Sequence, residues 1–490
     1  MKLLYIDLFC GAGGTSTGVE NARYEGRQCA KVIGCVNHDA NAIASHAANH
    51  PDALHFTEDI RMLELSPLTA HIAEMRRQYP DAFVVLWASL ECTNFSKAQG
   101  GQPRDSDSRT LAEHLFRYIE AINPDYIQIE NVEEFMSWGD LDENGKPISK
   151  DAGRLYLQWV SNVCGYGYRF AHRILNSADY GAYTTRRRFF GIFAKGSLPI
   201  VFPEPTHSKD GATGLFGQMQ RWKPVREVLD FTDEGKSIFG RKKPLVDATL
   251  ERIYAGLIKF VAGGKEAFLV KWNSMSSTGK YHAPSIDEPC PTVATQNRLG
   301  IAQVNFLSKH YGGSPAGKCV SVEEPAGTIT TWDHHSFITA YYGNGHNHSI
   351  DAPAPTLTTR DRLAFVDMQY GNGTPCGIET PAPTVTTNPK HQLVTCRMKQ
   401  QGATIAVTTD DSPAMAKIKR FMALYGIIDI KMRMLRIPEL KRIMGFPSDY
   451  VLVGTQADQK KFIGNAVEVN MARVLCEALC TQLIKNNIAA

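Results

Sequence analysis

A cysteine at the carboxyl end of an apolar run, opening into a polar loop, is placed to act as a nucleophile, because the exposed thiolate is the reactive form. Cys92 is such a residue, in VVLWASLECTNFSKAQGG. By itself it could equally be a buried, inert thiol. The following loop, Lys97–Arg109, carries Gly100, Gly101 and several charges, which suits closure over a substrate. In YIQIENVEEF, Glu130 ends a second run. A carboxyl group there can hydrogen-bond a base edge or cap the helix that follows. In YTTRRRFFGIFA, three arginines precede a third run. Alternate residues of an extended chain share a face, so Arg186 and Arg188 should point one way and Arg187 the other. Two guanidinium groups aimed into a cleft suit an anionic or base-edge ligand.

A ligand loop comes first in the chain. YIDLFCGAGG (Tyr5–Gly14) reads as a strand, a glycine turn and a helix beginning near Thr15, where backbone can approach a ligand closely. A plain tight turn would look the same. VNHDA and EDIR place Asn37 and Asp59 at the ends of the next two strands, where polar groups would meet a nucleoside or cap a helix.

The elements that position these residues are short apolar runs at Leu3–Phe9, Val32–Asn37, Ala82–Ala88, Tyr126–Glu130 and Phe189–Phe193, alternating with amphipathic stretches such as Leu111–Ile122. That alternation predicts an α/β fold: a doubly wound, mostly parallel sheet whose ligands bind at the strands' carboxyl ends. Asp140–Lys150 reads as a loop insertion. From Phe202 the texture changes, with FPEPTHS and then a helical pattern over Leu245–Phe260. Four related segments follow: EPCPTVAT, EPAGTITT, APAPTLTT and TPAPTVTT, with first prolines at 289, 325, 353 and 381, spaced by 36, 28 and 28 residues. Proline limits each start and the Thr/Val/Ile run favours extended chain, so residues 265–395 should be β-rich and loop-rich. Polar groups after each repeat, such as Asn297-Arg298 and Asp361-Arg362, could be tips for a DNA groove or merely solvated strand ends. A helix start at Ser412-Pro413, a strand at Ile427–Met432, a short helix at Pro438–Met444 and a long helix at Val467–Lys485 close the chain. The predicted domains are 1–199, an insert at 200–420 holding the repeats at about 285–395, and 421–490 completing the first.

The chain has 490 residues, 43% of them hydrophobic, and a formal charge of +3, which fits a soluble enzyme and permits nucleic-acid binding without demanding it. Its 11 cysteines form no C-x-x-C pair, so no metal site or disulfide framework is predicted. No apolar stretch reaches membrane-spanning length, and a cytoplasmic protein is expected.

Taken in order, these motifs resemble the DNA (cytosine-5) methyltransferase family, bacterial and phage type. DLFCGAGG looks like its cofactor loop, ECTNFS its nucleophile motif, ENV its acid motif and TRRRFFGI its arginine motif. RMLRIPELKRIMGFPSDY (Arg433–Tyr450) and KFIGNAVEVNMA (Lys461–Ala472) are similar to its last two motifs. The resemblance implies a class I, Rossmann-like fold that binds S-adenosylmethionine and carries an inserted target recognition domain. It implies duplex DNA as substrate, with the cytosine flipped out of the stack. Cys92 would add to C6, Glu130 would donate to N3 and accept from the exocyclic amine, and Arg186 and Arg188 would hold O2. Phe9, Gly11, Gly14, Asn37, Asp59, Ile60, Leu111, Asn465 and Val467 would line the cofactor pocket. A monomer is implied, with a cognate restriction endonuclease as a genetic rather than a physical partner.

Some positions depart from the family pattern. Glu91 and Thr93 stand where proline and glutamine usually flank the nucleophile, Asn37 replaces the acidic ribose ligand, and Tyr183-Thr184 replaces Pro-Gln. A carboxylate beside the thiol works against thiolate formation. Glu91 would therefore tune cofactor handling or mark an altered base or cofactor. An RNA cytosine-5 methyltransferase and a DNA-binding homologue without catalysis are the alternative readings.

Overall fold

The apolar runs form strands because each is long enough to cross a sheet and apolar on both faces, the pattern of buried parallel strands. In the computed structural model the five runs and two less apolar strands make one sheet: β1 (Leu3–Leu8), β2 (Ala30–Asn37), β3 (Leu54–Thr57), β4 (Phe83–Ser89), β5 (Tyr126–Asn131), β6 (Tyr168–Asn176) and β7 (Arg187–Lys195). Their order is β3-β2-β1-β4-β5-β7-β6. β3, β2, β1, β4 and β5 pair in parallel, and β7 runs antiparallel to both of its neighbours. The structure describes residues 1–90, 110–139, 153–214, 217–230, 232–233, 235–258, 267–271, 299–303, 307–309, 319–320, 335–336, 364–368, 391–398, 407–425 and 427–488.

Alternation along β1 divides the core in two. Leu4, Ile6 and Leu8 pack with Leu68 and Ile72 of helix Ser66–Gln78, Leu115 and Ile119 of helix Leu115–Ile122, and Trp159 of helix Arg154–Gly165. Leu3 and Tyr5 face the other side, against Leu475, Leu479 and Leu483 of the last helix, Val469–Lys485. The sheet is thus covered on both faces, the doubly wound α/β arrangement predicted above. Two strands carried too weak a pattern to be delimited from sequence: β3 is only half-buried, and β6 mixes arginine and histidine among its apolar residues.

The chain divides into two compact units, residues 1–221 with 444–490, and residues 222–443. In the second unit a six-stranded sheet runs in the order Lys236–Ser237, Ile427–Met434, His391–Met398, Ala364–Met368, Leu299–Gln303, Ala267–Lys271. The second unit reaches 443 rather than 420, because Ile427–Met434 pairs with His391–Met398 from Gln392↔Met434 to Met398↔Ile427. Segments 421–443, expected with the first domain, are held by that ladder. The four Pro/Thr repeats and the Asp140–Lys150 insertion lie outside the described residues. The strands at Leu299, His335, Ala364 and His391 begin 10, 10, 11 and 10 residues after the repeats' first prolines at 289, 325, 353 and 381.

Within this unit Arg433 and Glu439 are buried together. Arg433 Nη1 and Nη2 lie 2.9 Å from Glu439 Oε2 and Oε1, a bidentate pair. Glu439 also accepts from the backbone N–H groups of Asp230 (2.8 Å) and Arg436 (2.6 Å). The motif RMLRIPEL thereby joins Ile427–Met434, the helix Ile437–Ile443 and the turn at Asp230.

Candidate active site

The strand order reverses direction of travel at β1: the chain moves outward through β2 and β3, then returns to place β4 on the other side. In such sheets the crevice beyond the carboxyl ends of the two strands at the switch receives the ligand. The β1 end leads into the glycine loop. Phe9 (φ 58°) and Gly11 (φ 51°) both adopt left-handed backbone, strained for Phe9 and free for Gly11. No atom lies within 4 Å of where a Gly11 side chain would begin, so its backbone faces open space. Gly13 (φ 98°) is confined instead: a Cβ there would meet the Tyr450 hydroxyl at 2.4 Å. Tyr450 donates to the Ala12 carbonyl at 2.5 Å. A Cβ on Gly14 would stand 2.5 Å from the Val467 carbonyl, so the first and last motifs meet here. Val467 is buried and Asn465, ending helix Gln456–Asn465, is exposed.

At the neighbouring strand ends, Asn37 Oδ1 accepts from Asp39 N at 2.9 Å, which turns the chain into the Asp39-capped helix Ala40–Asn49. Asp59 is engaged by Arg61 through the backbone N–H (2.9 Å), Nε (3.0 Å) and Nη2 (2.7 Å). Those hydrogen bonds hold its carboxyl down at about 2. The Ile60 carbonyl accepts from Arg117 Nη1 at 2.8 Å and the Tyr118 hydroxyl at 2.9 Å, which fixes this loop to helix Leu115–Ile122. Leu111 is buried in the short 3-10 turn before that helix.

Cys92, with Glu91 and Thr93, follows β4 in the sequence and lies outside the described residues. The end of β4 is tied down: Asn131 Nδ2 donates to the Leu90 carbonyl at 3.4 Å, and Asn131 Oδ1 accepts from Val132 N at 2.8 Å. β5 and β7 pair antiparallel with Asn131 opposite Phe189, so the carboxyl end of one delivers Glu130 beside the amino end of the other, which carries the arginines.

Both arginines predicted to share a face turn to Glu130. Arg188 Nε stands 3.3 Å from Glu130 Oε1 and Arg186 Nη2 3.9 Å from the same oxygen. Arg187 points away, 3.0 Å from Glu133 Oε1 and largely exposed. Glu130 is buried, and its Oε1 makes no hydrogen bond among the described residues. Arg186 Nη1 donates to the Gly464 carbonyl at 3.2 Å, reaching 278 residues along the chain. Glu468, which sequence reading did not single out, caps the last helix through Asn470 N (3.1 Å) and Met471 N (2.7 Å). Complete burial pushes its carboxyl up to about 7. The arrangement gathers, on one sheet edge, a carboxylate, two cations and an open glycine loop: a site able to bind a planar polar group next to a nucleoside-like ligand.

The C-5 cytosine-specific DNA methylase model matches residues 3–214 and 326–481, and the chain belongs to that family. The type II methyltransferase M.AgeI of Thalassovita gelatinovora is 28% identical over 211 residues, 43% of this chain and 44% of its own. M1.HphI of Haemophilus parahaemolyticus is 26% identical over 216 residues, 44% and 52% respectively. The chain spans about half the length of these curated relatives. Among solved structures, the Dnmt2 methyltransferase of S. pombe aligns over 100% of both chains at TM-score 0.44 and 14% identity. Among the described residues no helix is long and apolar enough to cross a membrane.

Proposed function

We propose that this protein is a DNA (cytosine-5) methyltransferase that uses S-adenosylmethionine and attacks a flipped cytosine through Cys92. The observation that carries the reading is the Glu130 carboxylate bracketed by Arg186 and Arg188 at the carboxyl end of β5, the strand paired with β4. The cofactor's fit rests on Gly11, whose backbone faces open space at the topological switch. Phe9, Gly14, Asn37, Asp59, Ile60, Leu111, Asn465 and Val467 complete its pocket. When bound it supplies an electrophilic methyl group.

The chain's own residues do the rest. The base must leave the duplex because its reacting atoms are covered by stacking. Cys92 sulfur bonds to C6, and electron density moves toward C5 and N3. Glu130, once it has taken up a proton, donates it in a hydrogen bond to N3 and accepts from the exocyclic amine through its other oxygen, stabilising that electron-rich ring, while Arg186 and Arg188 hold O2. After C5 substitution, the C5 proton passes to a base, the electrons of the C5–H bond re-form the C5–C6 double bond, and Cys92 leaves as the thiolate, which restores aromaticity. Residues 1–221 with 444–490 are the catalytic part in this reading, and the insert at 222–443 reads the DNA sequence with its repeats. The chain works as a cytoplasmic monomer in a bacterial or phage-infected cell, with a cognate restriction endonuclease as genetic partner.

Incubation with duplex DNA, structured RNA and labelled S-adenosylmethionine tests the reading, with Cys92→Ser as control. Label is expected on DNA only and absent in the variant. Label that persists in Cys92→Ser removes Cys92 as nucleophile; label on RNA alone overturns the DNA assignment. Replacing Glu91 with proline then asks what the departure does, and an unchanged rate and cofactor affinity excludes a special role for it.

A further inference from the structure

Behind the glycine loop lies a cluster of sulfur and imidazole donors that the methyl-transfer reading does not use. Cys10 follows β1, Cys35 lies in β2, His46 in helix Ala40–Asn49 and His55 in β3. Cys10, Cys35 and His46 are buried, and their donor atoms all lie within 4.8 Å of one another. Among the described residues no other trio of Cys, His, Asp or Glu comes so close. Cys35 Sγ is 3.6 Å from His46 Nδ1, and His55 Nε2 is 3.0 Å from that same nitrogen.

The far side of His46 sets which nitrogen is available. Its Nε2 lies 2.8 Å from Ser16 Oγ, and Ser16 spends its hydroxyl proton on Asp7 Oδ2 at 2.8 Å. With Ser16 donating to Asp7, Ser16 accepts from His46, an arrangement that puts the proton on Nε2 and a lone pair on Nδ1, toward Cys35 and His55. A carboxylate relayed onto the outer nitrogen of a histidine is the usual support of a metal-bound imidazole. Bond lengths of a tetrahedral zinc site give edges of roughly 3.6 Å between sulfur and nitrogen and roughly 3.3 Å between two nitrogens. The observed 3.6 and 3.0 Å lie close to both.

We propose that Cys10, Cys35, His46 and His55 bind a zinc ion that staples the glycine loop to β2, β3 and the helix between them. Two thiolates and two neutral imidazoles satisfy zinc's preferred donors and fill its four positions, so the ion is structural and leaves no place for substrate. Binding releases the two thiol protons.

The test is metal content of the full chain and does not depend on methyl transfer. Protein equilibrated with excess Zn2+ and then gel-filtered should retain zinc at stoichiometric level by elemental mass spectrometry. Replacement by Co2+ should give the intense visible bands of a tetrahedral site with sulfur-to-cobalt charge transfer. Cys35→Ser and His55→Ala, each checked for native circular dichroism, should lose or shift those bands. His55 lies at a half-exposed position, so its variant should fold even if the other does not. No retained zinc, cobalt bands unchanged in a folded His55→Ala, or a Cys10–Cys35 disulfide in protein purified without reductant would each overturn the proposal.

Discussion

Arg188 Nε and Glu130 Oε1 are 3.3 Å apart in a nearly water-free corner, an ion pair whose carboxylate oxygen makes no hydrogen bond among the described residues. A pair held this way is preorganised for a third polar partner. Glu130→Gln should lower the methylation rate by ~10²–10³-fold, the scale of losing one such group. Arg188→Ala should cost kcat/KM by about 10²-fold through misplacement of Glu130. Single-turnover assays on duplex DNA check both, and rates within threefold of the parent would contradict them.

Gly13→Ala should destabilise the first unit. The residue sits at φ 98°, and the added methyl would collide with the Tyr450 hydroxyl at 2.4 Å. Strained backbone alone costs about 1–3 kcal/mol. A lowered urea midpoint with an unchanged slope is the expected result.

Glu439→Gln tests the second unit. Removing one charge from the buried pair leaves Arg433 with only the partly exposed Asp233 carboxylate, 3.4 Å from its Nε, a loss of up to roughly 3–5 kcal/mol. Early proteolysis within 222–443, with the first unit still protected, would report it.

Glu468 makes stability depend on pH. Its carboxyl is raised from 4.5 to about 7 by burial, so the folded chain binds a proton that the unfolded chain has released. This contribution is full below about 4.5 and falls as pH rises toward 7. The slope approaches about 1.4 kcal/mol per pH unit. Denaturation series between these values should show it, and Glu468→Gln should flatten it.

Legibility in the sequence followed burial. β1, β4 and β5 are apolar on both faces and could be read directly, whereas β3, half-exposed, and β6, with Arg169, His172 and Arg173, gave no period. The shared face of Arg186 and Arg188 followed from strand geometry. The contact of Arg186 with Gly464 did not, since nothing local in either motif encodes a partner 278 residues away. Cys10, Cys35, His46 and His55 escaped notice for the same reason: spacings of 25, 11 and 9 reflect four different elements meeting, not one ligand loop. Cys92 itself falls outside the described residues.

That long reach has a consequence for synthesis. The carbonyl that receives Arg186, the Val467 backbone against Gly14 and the helix that seals the Leu3 and Tyr5 face all lie in 464–485, made after every strand of the seven-stranded sheet. A nascent chain holds every strand of the sheet yet lacks one wall of its crevice. The crevice therefore stays open on one side until 464–485 have been made, and a copy cut short before them would be an unfinished vessel.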